Sequence, residues 1–261
     1  MTYAPFDLTG KVALVTGGNR GIGLGMARAL AASNASVAIW GRKDAANQAA
    51  VEELSALGTG DVRAWSVDVS DEQAIIDATA ETVSSLGRID SCFANAGVGF
   101  GAPSFMDMDT ETWRKNMAVN LDGAFWTLRE SVKHIVERAK AGDPGGSVVG
   151  VASLAAIEGA GRNQAYAATK GGLISMLKGI AVETARYGIR ANAILPGWIA
   201  TDMTAAAQGA DVFQTKVISR VPIRRWGTPD DFGGMAVYLA SDASSYQSGT
   251  TLVIDGGYSI F

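Results

Sequence analysis

Cysteine and histidine are nearly missing from this chain of 261 residues: Cys92 and His134 are the only ones. A single cysteine forms no internal disulfide, and the two side chains together cannot complete a Cys/His zinc site, so no metal is expected. Chemistry that needs several imidazoles is excluded for the same reason. No uninterrupted run of about 18 apolar residues occurs, which argues against a transmembrane helix. Residues 1–11 contain neither the basic nor the apolar segment of a secretory signal. These absences and the lone thiol point to a reducing, cytoplasmic setting away from membranes. A basic surplus is lacking too: 22 Lys and Arg face 26 Asp and Glu, a formal charge of −4, so no nucleic-acid partner is expected. There is no repeat, low-complexity tract or long linker. The chain reads as one domain, 1–261, able to bury a substantial core.

Glycine, by contrast, is abundant. Its 32 residues are about 12% of the chain, against a typical ~7%, and no G-X-Y period explains them. They belong at specific turns and close approaches. Around them, short apolar runs alternate with longer helical periods. Residues 12–16, 37–40, 62–67, 89–94, 148–152, 190–195 and 251–254 read as seven strands. Residues 21–32, 45–57, 71–86, 110–139, 165–187 and 229–241 read as helices, and 198–225 as irregular and partly helical. Apolar strands alternating with helices imply an α/β, doubly wound parallel sheet with helices on both faces. Ligands of such sheets bind beyond the carboxyl ends of the strands, so residues just after strands are the candidates for function.

The first strand runs into Thr16-Gly17-Gly18-Asn19-Arg20-Gly21-Ile22-Gly23 and then a helix. Glycines there let backbone amides approach a pyrophosphate, which the partial positive charge of the helix N-terminus attracts. The spacing is G-x-x-x-G-x-G, and no Gly-Lys-Ser/Thr follows, which disfavours a P-loop. Taken alone, the motif is either a phosphate cradle or only a tight strand–helix turn. The second strand ends Trp40-Gly41-Arg42-Lys43, with two cations and no carboxylate at its tip. A carboxylate would suit the ribose hydroxyls of NAD, whereas Arg42, with Arg20, suits the 2′-phosphate of NADP. NADP(H) is therefore the expected cofactor, with NAD(H) retained as the alternative and solvated surface cations as the plain one.

Tyr166 and Lys170 are four residues apart, hence on one helix face, and Ser153 closes the preceding strand. A phenol ordinarily ionises near pH 10. An ammonium beside it favours the phenolate, so Lys170 is expected to lower the pKa of Tyr166 and make it an acid/base near neutrality. Ser153 can hydrogen-bond a substrate oxygen as charge develops on it. His134 falls within a helix and reads as a surface or packing residue.

In this order, the motifs resemble the short-chain dehydrogenase/reductase family over nearly the whole chain. They are Thr16-Gly17-x-x-x-Gly21-Ile22-Gly23, Asp68, Ala94-Asn95-Ala96-Gly97, Asn120, Ser153, Tyr166-x-x-x-Lys170 and Pro196-Gly197. The resemblance implies a single Rossmann-type domain with a substrate lid at about 198–225. It implies catalysis by Asn120, Ser153, Tyr166 and Lys170, with Asn120 holding a water in a proton relay. Gly17, Asn19, Arg20, Gly21, Ile22, Gly23 and Arg42 would take the phosphates. Asp68 and Val69 would meet the adenine, and Asn95, Ala96 and Gly97 the adenosine ribose. Pro196, Gly197, Ile199 and Thr201 would lie by the nicotinamide, and Lys170 would hold its ribose. Each has a plainer alternative: Asp68 preceding a helix, Asn120 bonding backbone, Thr201 capping the next helix. The family usually carries Asn where Ala94 stands, so one structural hydrogen bond is missing.

The implied activity is hydride transfer between a nicotinamide and a small-molecule ketone or secondary alcohol. Val98, Leu154, Ala155, Gln164, Trp198 and Met203 would line the substrate site, and their apolar character suits a hydrophobic or cyclic ketone better than a free sugar. The chain looks most like 3-oxoacyl-acyl-carrier-protein reductases and their relatives. It departs from them at Tyr187, which precedes Gly188 where they tend to be basic, and in a longer turn around Asp143 and Pro144. A carrier-protein partner is therefore the second reading. A redox-neutral halohydrin dehalogenase-type lyase is disfavoured by Lys170 and the intact glycine turn, and a non-catalytic NADP sensor by the retained Ser–Tyr–Lys–Asn set. The resemblance also implies a homotetramer built by pairing the long helix with the Tyr166 helix.

Overall fold

The structure, a computed structural model, describes residues 4–261. Its seven strands are β1 Val12–Thr16, β2 Ser36–Gly41, β3 Val62–Ser66, β4 Ser91–Ala94, β5 Gly146–Val151, β6 Ile189–Pro196 and β7 Thr251–Ile254. They form one parallel sheet in the order β3-β2-β1-β4-β5-β6-β7. The α-helices are α1 Gly21–Ala32, α2 Asp44–Ser55, α3 Glu72–Leu86, α4 Thr110–Met117, α5 Gly123–Lys140, α6 Ala155–Glu158, α7 Gln164–Thr184, α8 Ala205–Gln208, α9 Asp211–Lys216 and α10 Gly233–Ala240.

Every residue of β1 and β4 is buried, as a strand covered on both faces requires. Successive side chains point to opposite faces, and the core divides accordingly. Leu14, Ala38 and Cys92 pack with Ile75 of α3, Leu128 of α5, and Leu173 and Leu177 of α7. Ala13, Val15, Ile39 and Phe93 pack with Met26 and Leu30 of α1, Leu54 of α2, and Leu239 of α10. The strand order reverses between β1 and β4, so a crevice opens above their carboxyl ends.

Three elements differ from the sequence expectation. The helix expected over 110–139 is interrupted by a π-type turn, Ala118–Asp122, in which the Gly123 N–H bonds to Ala118 O. Close packing accompanies it: a Cβ on Gly123 would lie 2.5 Å from Val69 O. Such single-turn π-bulges recur at functional sites. The four-residue α6 was not expected, being too short to show a period. β4 also begins at Ser91 rather than Ile89, because the Ile89 N–H bonds instead to His134 Nε2 (3.1 Å). Among the described residues, no helix is long and apolar enough to cross a membrane, and no group of three or more His, Cys, Asp or Glu could hold a metal ion.

His134 is thus a structural acceptor. Burial first, then Arg138, lowers its pKa from the ordinary 6.5; Glu137 and Asp90 oppose this, and Arg88 adds to it. A depressed folded-state pKa favours the neutral ring, so its stabilisation is complete above pH 6.5 and lost as pH falls through the folded value. Urea denaturation of wild type and His134→Gln at pH 7.5 and 5 checks this. The stability gap between the two should shrink at the lower pH; a constant gap contradicts it.

Candidate active site

Everything of interest lies above the carboxyl ends of β1, β4, β5 and β6. The hydroxyl of Thr16, at the end of β1, accepts from the backbone N–H groups of Asn95 (3.0 Å) and Ala96 (2.9 Å). Asn95 Nδ2 in turn donates to Thr16 O (2.8 Å) and Gly17 O (3.4 Å). The two strand ends are thereby locked together beneath the glycine turn.

That turn has the form of an anion cradle. Gly17 and Gly21 have φ of +62° and +52°, values glycine adopts without strain. A Cβ on Gly17 would lie 3.0 Å from Asn95 Nδ2, and one on Gly23 2.3 Å from Gly17 O, so the turn, α1 and Asn95 interlock only without side chains. The N-terminus of α1 has no side-chain cap, and no acidic residue lies in its first turn. Its unpaired amides and dipole are available to an anion. Ile22 packs against the core on the α1 side.

The polar residues around the cradle are more committed than their sequence positions suggest. Arg20 pairs with Asp202 (3.3 Å), so in this structure it ties the turn to the 198–225 segment. Asn19 Nδ2 donates to Asn47 Oδ1 (2.7 Å). Asn47, buried on α2, also donates to Gly41 O (2.9 Å) and Trp65 O (3.2 Å). It fastens the turn to the tips of β2 and β3. Sequence reasoning missed Asn47; its one signal was an amide on the apolar side of a helix. Arg42 lies exposed beyond β2, 3.7 Å from Asp68. For Asp68, burial favours the neutral acid, but the backbone and hydroxyl of Ser70, and then Arg42, outweigh it and lower the pKa. The neighbouring Val69 is buried in the core.

Ser153, two residues beyond β5, accepts from the Ala155 N–H (3.2 Å). Its own proton is left to donate, and its hydroxyl faces the Tyr166 phenol, whose pKa it lowers. Lys170 is 4% exposed. Its Nζ donates to Val151 O (2.7 Å) and lies 5.5 Å from the centroid of the Tyr166 ring. The electrostatics correct one expectation. Burial raises the Tyr166 pKa, with the Ser153 hydroxyl pulling it down. Burial also lowers the Lys170 pKa to about 8. Spacing shows that the two groups share a face; it does not show that both are desolvated.

Asn120 sits in the π-type turn. Its Oδ1 accepts from the Val98 N–H (2.8 Å), and its Nδ2 donates to Val98 O (2.8 Å) and Thr169 Oγ1 (3.3 Å). The plainer alternative, an asparagine bonding backbone, therefore describes its side chain here, because every amide group is engaged. A Cβ on Gly97 would come within 3.3 Å of Asn120 Oδ1 and 3.5 Å of Lys170 Nζ, so Gly97 passes directly by both.

Of the remaining candidates, Pro196 accepts from the Leu154 N–H (3.2 Å), and the Gly197 N–H donates to Ile254 O (3.0 Å). Leu154 and Ile199 are buried, Ile199 within the core. Thr201 caps the short turn at Asp202–Thr204 in a reciprocal box with Thr204 and touches the space a Cβ on Gly21 would fill. Trp198 packs edge-on against Phe213, with ring centroids 4.6 Å apart, and against Trp226 and Tyr258. It borders a cavity of about 160 Å³ shared with Ile223, Arg225 and Asp255, whose lining does not include Ser153. Gln164 Oε1 is buried without a partner. Met203 is largely exposed, its sulfur 3.9 Å from the Cβ position of Gly99.

Comparison with known proteins supplies relatives for the whole chain. A family model described as enoyl-(acyl carrier protein) reductase matches residues 17–259. The 3-oxoacyl-[acyl-carrier-protein] reductase FabG of Chlamydia pneumoniae is 36% identical over 96% of this chain and 97% of its own. The 2-dehydro-3-deoxy-D-gluconate 5-dehydrogenase of Pseudoalteromonas atlantica is 38% identical over 97% of both. A crystal structure from Beutenbergia cavernae, described as an NAD(P)-dependent gluconate 5-dehydrogenase with NADP at low occupancy, superposes with a TM-score of 0.91. It is 33% identical, over 98% of this chain and all of that one.

The interlock at Gly23 is directly testable. Gly23→Ala forces a methyl against Gly17 O and should cost about 1–3 kcal/mol, as overpacking does. A lowered urea midpoint is the expected result; an unchanged one contradicts the geometry.

Proposed function

Because this chain belongs to the short-chain dehydrogenase/reductase family, a family of dehydrogenases and reductases of CH–OH groups, we propose that it is an NADP(H)-dependent oxidoreductase interconverting a ketone and a secondary alcohol. The observation that carries the reading is the convergence of three groups: buried Lys170, its Nζ 5.5 Å from the centroid of the Tyr166 ring, and the Ser153 hydroxyl, which lowers the pKa of the same phenol. Support for the cofactor comes from the uncapped α1 terminus and the glycine cradle, and from the NADP carried by a relative of 33% identity. The residues present fit a dinucleotide. Gly17, Asn19, Gly21, Ile22 and Gly23 would hold its phosphates, and Arg42 the 2′-phosphate. Asp68 and Val69 would meet the adenine, Asn95, Ala96 and Gly97 the ribose, and Pro196, Gly197, Ile199 and Thr201 the nicotinamide.

When bound, the nicotinamide supplies or accepts the hydride. The protein's part is the proton. In reduction, the Tyr166 O–H protonates the carbonyl oxygen; in oxidation, the phenolate takes the alcohol proton. Ser153, anchored by the Ala155 N–H, donates to the same oxygen as charge develops on it. Charged Lys170 favours the phenolate, opposing the desolvation that raises the Tyr166 pKa. Asn120 holds the adjacent backbone through Val98.

The segment 198–225 is a candidate lid, since it is a chain of short helices and turns over the site and Arg20 tethers it to the glycine turn. The substrate panel should include cyclic ketones, keto-sugar acids and an acyl-carrier-protein thioester, because the relatives include sugar-acid dehydrogenases and a carrier-protein reductase. The exposed Trp113, Phe125 and Val182 on α4, α5 and α7 support a homotetramer; light scattering giving a monomer mass would contradict it.

Turnover at 340 nm tests the reading. Tyr166→Phe should lose about 10²–10⁴-fold or more in kcat while binding NADPH within about twofold of wild type; near-normal turnover refutes the acid/base role. Arg42→Ala should raise the KM for NADPH by roughly ten- to a hundredfold, the worth of a charge-assisted hydrogen bond, and leave that for NADH unchanged. A wild type using NADH as well as NADPH contradicts the cofactor assignment.

A further inference from the structure

We propose that Asn116 is a positioning residue: with Asn120, it anchors residues 98–102 as a strap across the substrate side of Tyr166. This rests on the reading of Tyr166 as the acid/base. Asn116 is fully buried near the end of α4. Its Oδ1 accepts from the Phe100 N–H (3.3 Å) and its Nδ2 donates to Phe100 O (2.9 Å) and to Thr112 O (2.9 Å). Asn120 makes the same pair of bonds to Val98. Two asparagines four residues apart on one helical stretch thus grip two alternate residues of another segment, in opposite chain directions.

The spacing explains why the pair works. Four residues of helix rise about 6 Å, and two residues of extended chain advance about 6.6 Å. The amides therefore substitute for a neighbouring strand, satisfying backbone groups that would otherwise be lost to this segment. The strap is held a third time where the Ala102 N–H donates to Arg162 O (2.8 Å). Arg162 takes a left-handed backbone, φ +66°, which costs a non-glycine residue free energy and is retained where surroundings enforce it. A Cβ on Gly101 would lie 2.8 Å from that same oxygen.

Between these anchors runs Gly99. Its Cβ position lies 3.7 Å from Asn163 Nδ2, 3.9 Å from Met203 Sδ and 4.0 Å from Tyr166 Cδ2. The strap therefore borders the acid/base, the start of α7 and the 198–225 segment at once, while Phe100 beside it is exposed. None of Asn116's hydrogen bonds reaches Ser153, Tyr166 or Lys170. Its effect on substrate runs through the strap.

Two variants approach the strap from opposite ends. Asn116→Leu keeps the size and removes all three hydrogen bonds. Gly101→Ala leaves α4 intact and pushes the strap off Arg162 O. Hydrogen exchange over residues 98–102 should accelerate about tenfold in Asn116→Leu, as loss of one or two hydrogen bonds implies, and also accelerate in Gly101→Ala. With 5-keto-D-gluconate and cyclohexanone as carbonyl probes, KM should rise about fivefold or more in both variants, with kcat changed by less than about threefold, as displaced positioning without lost chemistry predicts. NADPH affinity, read by fluorescence, should stay within about twofold. Unchanged exchange across 98–102 in Asn116→Leu overturns the proposal, as does a silent Gly101→Ala. A wild type that reduces neither probe counts against the proposed function alone, because exchange in the two variants still decides whether Asn116 anchors the strap.

Discussion

A lysine kept from water is the constraint on which the site depends. Lys170 reaches its single protein acceptor, Val151 O, only because α7 lies close on β5. That closeness is set by Gly150, where a Cβ would fall 2.7 Å from Leu177 Cδ1 and 3.0 Å from Leu173. Desolvation brings the ammonium down to about 8 while raising the neighbouring phenol. The two proton affinities are thus driven apart, the phenol above its ordinary value and the ammonium below its own. What returns the phenol towards ionisation is the charge of Lys170 itself, since the chain's one imidazole is occupied by the Ile89 amide.

The nucleotide side and the substrate side are joined by polar ties rather than by a shared core. Thr16 and Asn95 lock β1 to β4. Asn47 fastens the glycine turn to the β2 and β3 tips. Arg20 and Thr201 bring the 198–225 segment against the same turn. Asn120 and Asn116 hold the strap. These amides satisfy backbone groups at or just beyond the strand ends, where the ladder gives out. Exposed pairs such as Arg20–Asp202 contribute little stability themselves; their consequence is the path the chain takes.

The same distinction accounts for what was legible in the sequence. Apolar strands, the 17-21-23 glycine spacing, Ser153 at a strand end and the Tyr166–Lys170 interval are local patterns, and the fold follows from them. Asn47, Asn116 and Thr16 act on segments 16 to 80 residues away, so no window along the chain reveals them. The π-type turn at 118–122 leaves no proline or other breaker in the pattern. The direction of the Tyr166 shift was misjudged for a similar reason: charge can be read from spacing, but burial depends on what packs above the helix.

The central claim is that Tyr166 exchanges one proton with the reacting oxygen in both directions of hydride transfer. Measuring kcat/KM against pH for ketone reduction and for alcohol oxidation, on one substrate pair, tests it most directly. The account predicts mirror-image profiles: reduction falling and oxidation rising with pH about a common inflection, which moves upward in Lys170→Met. Profiles that rise or fall together, or an inflection indifferent to Lys170, would contradict it.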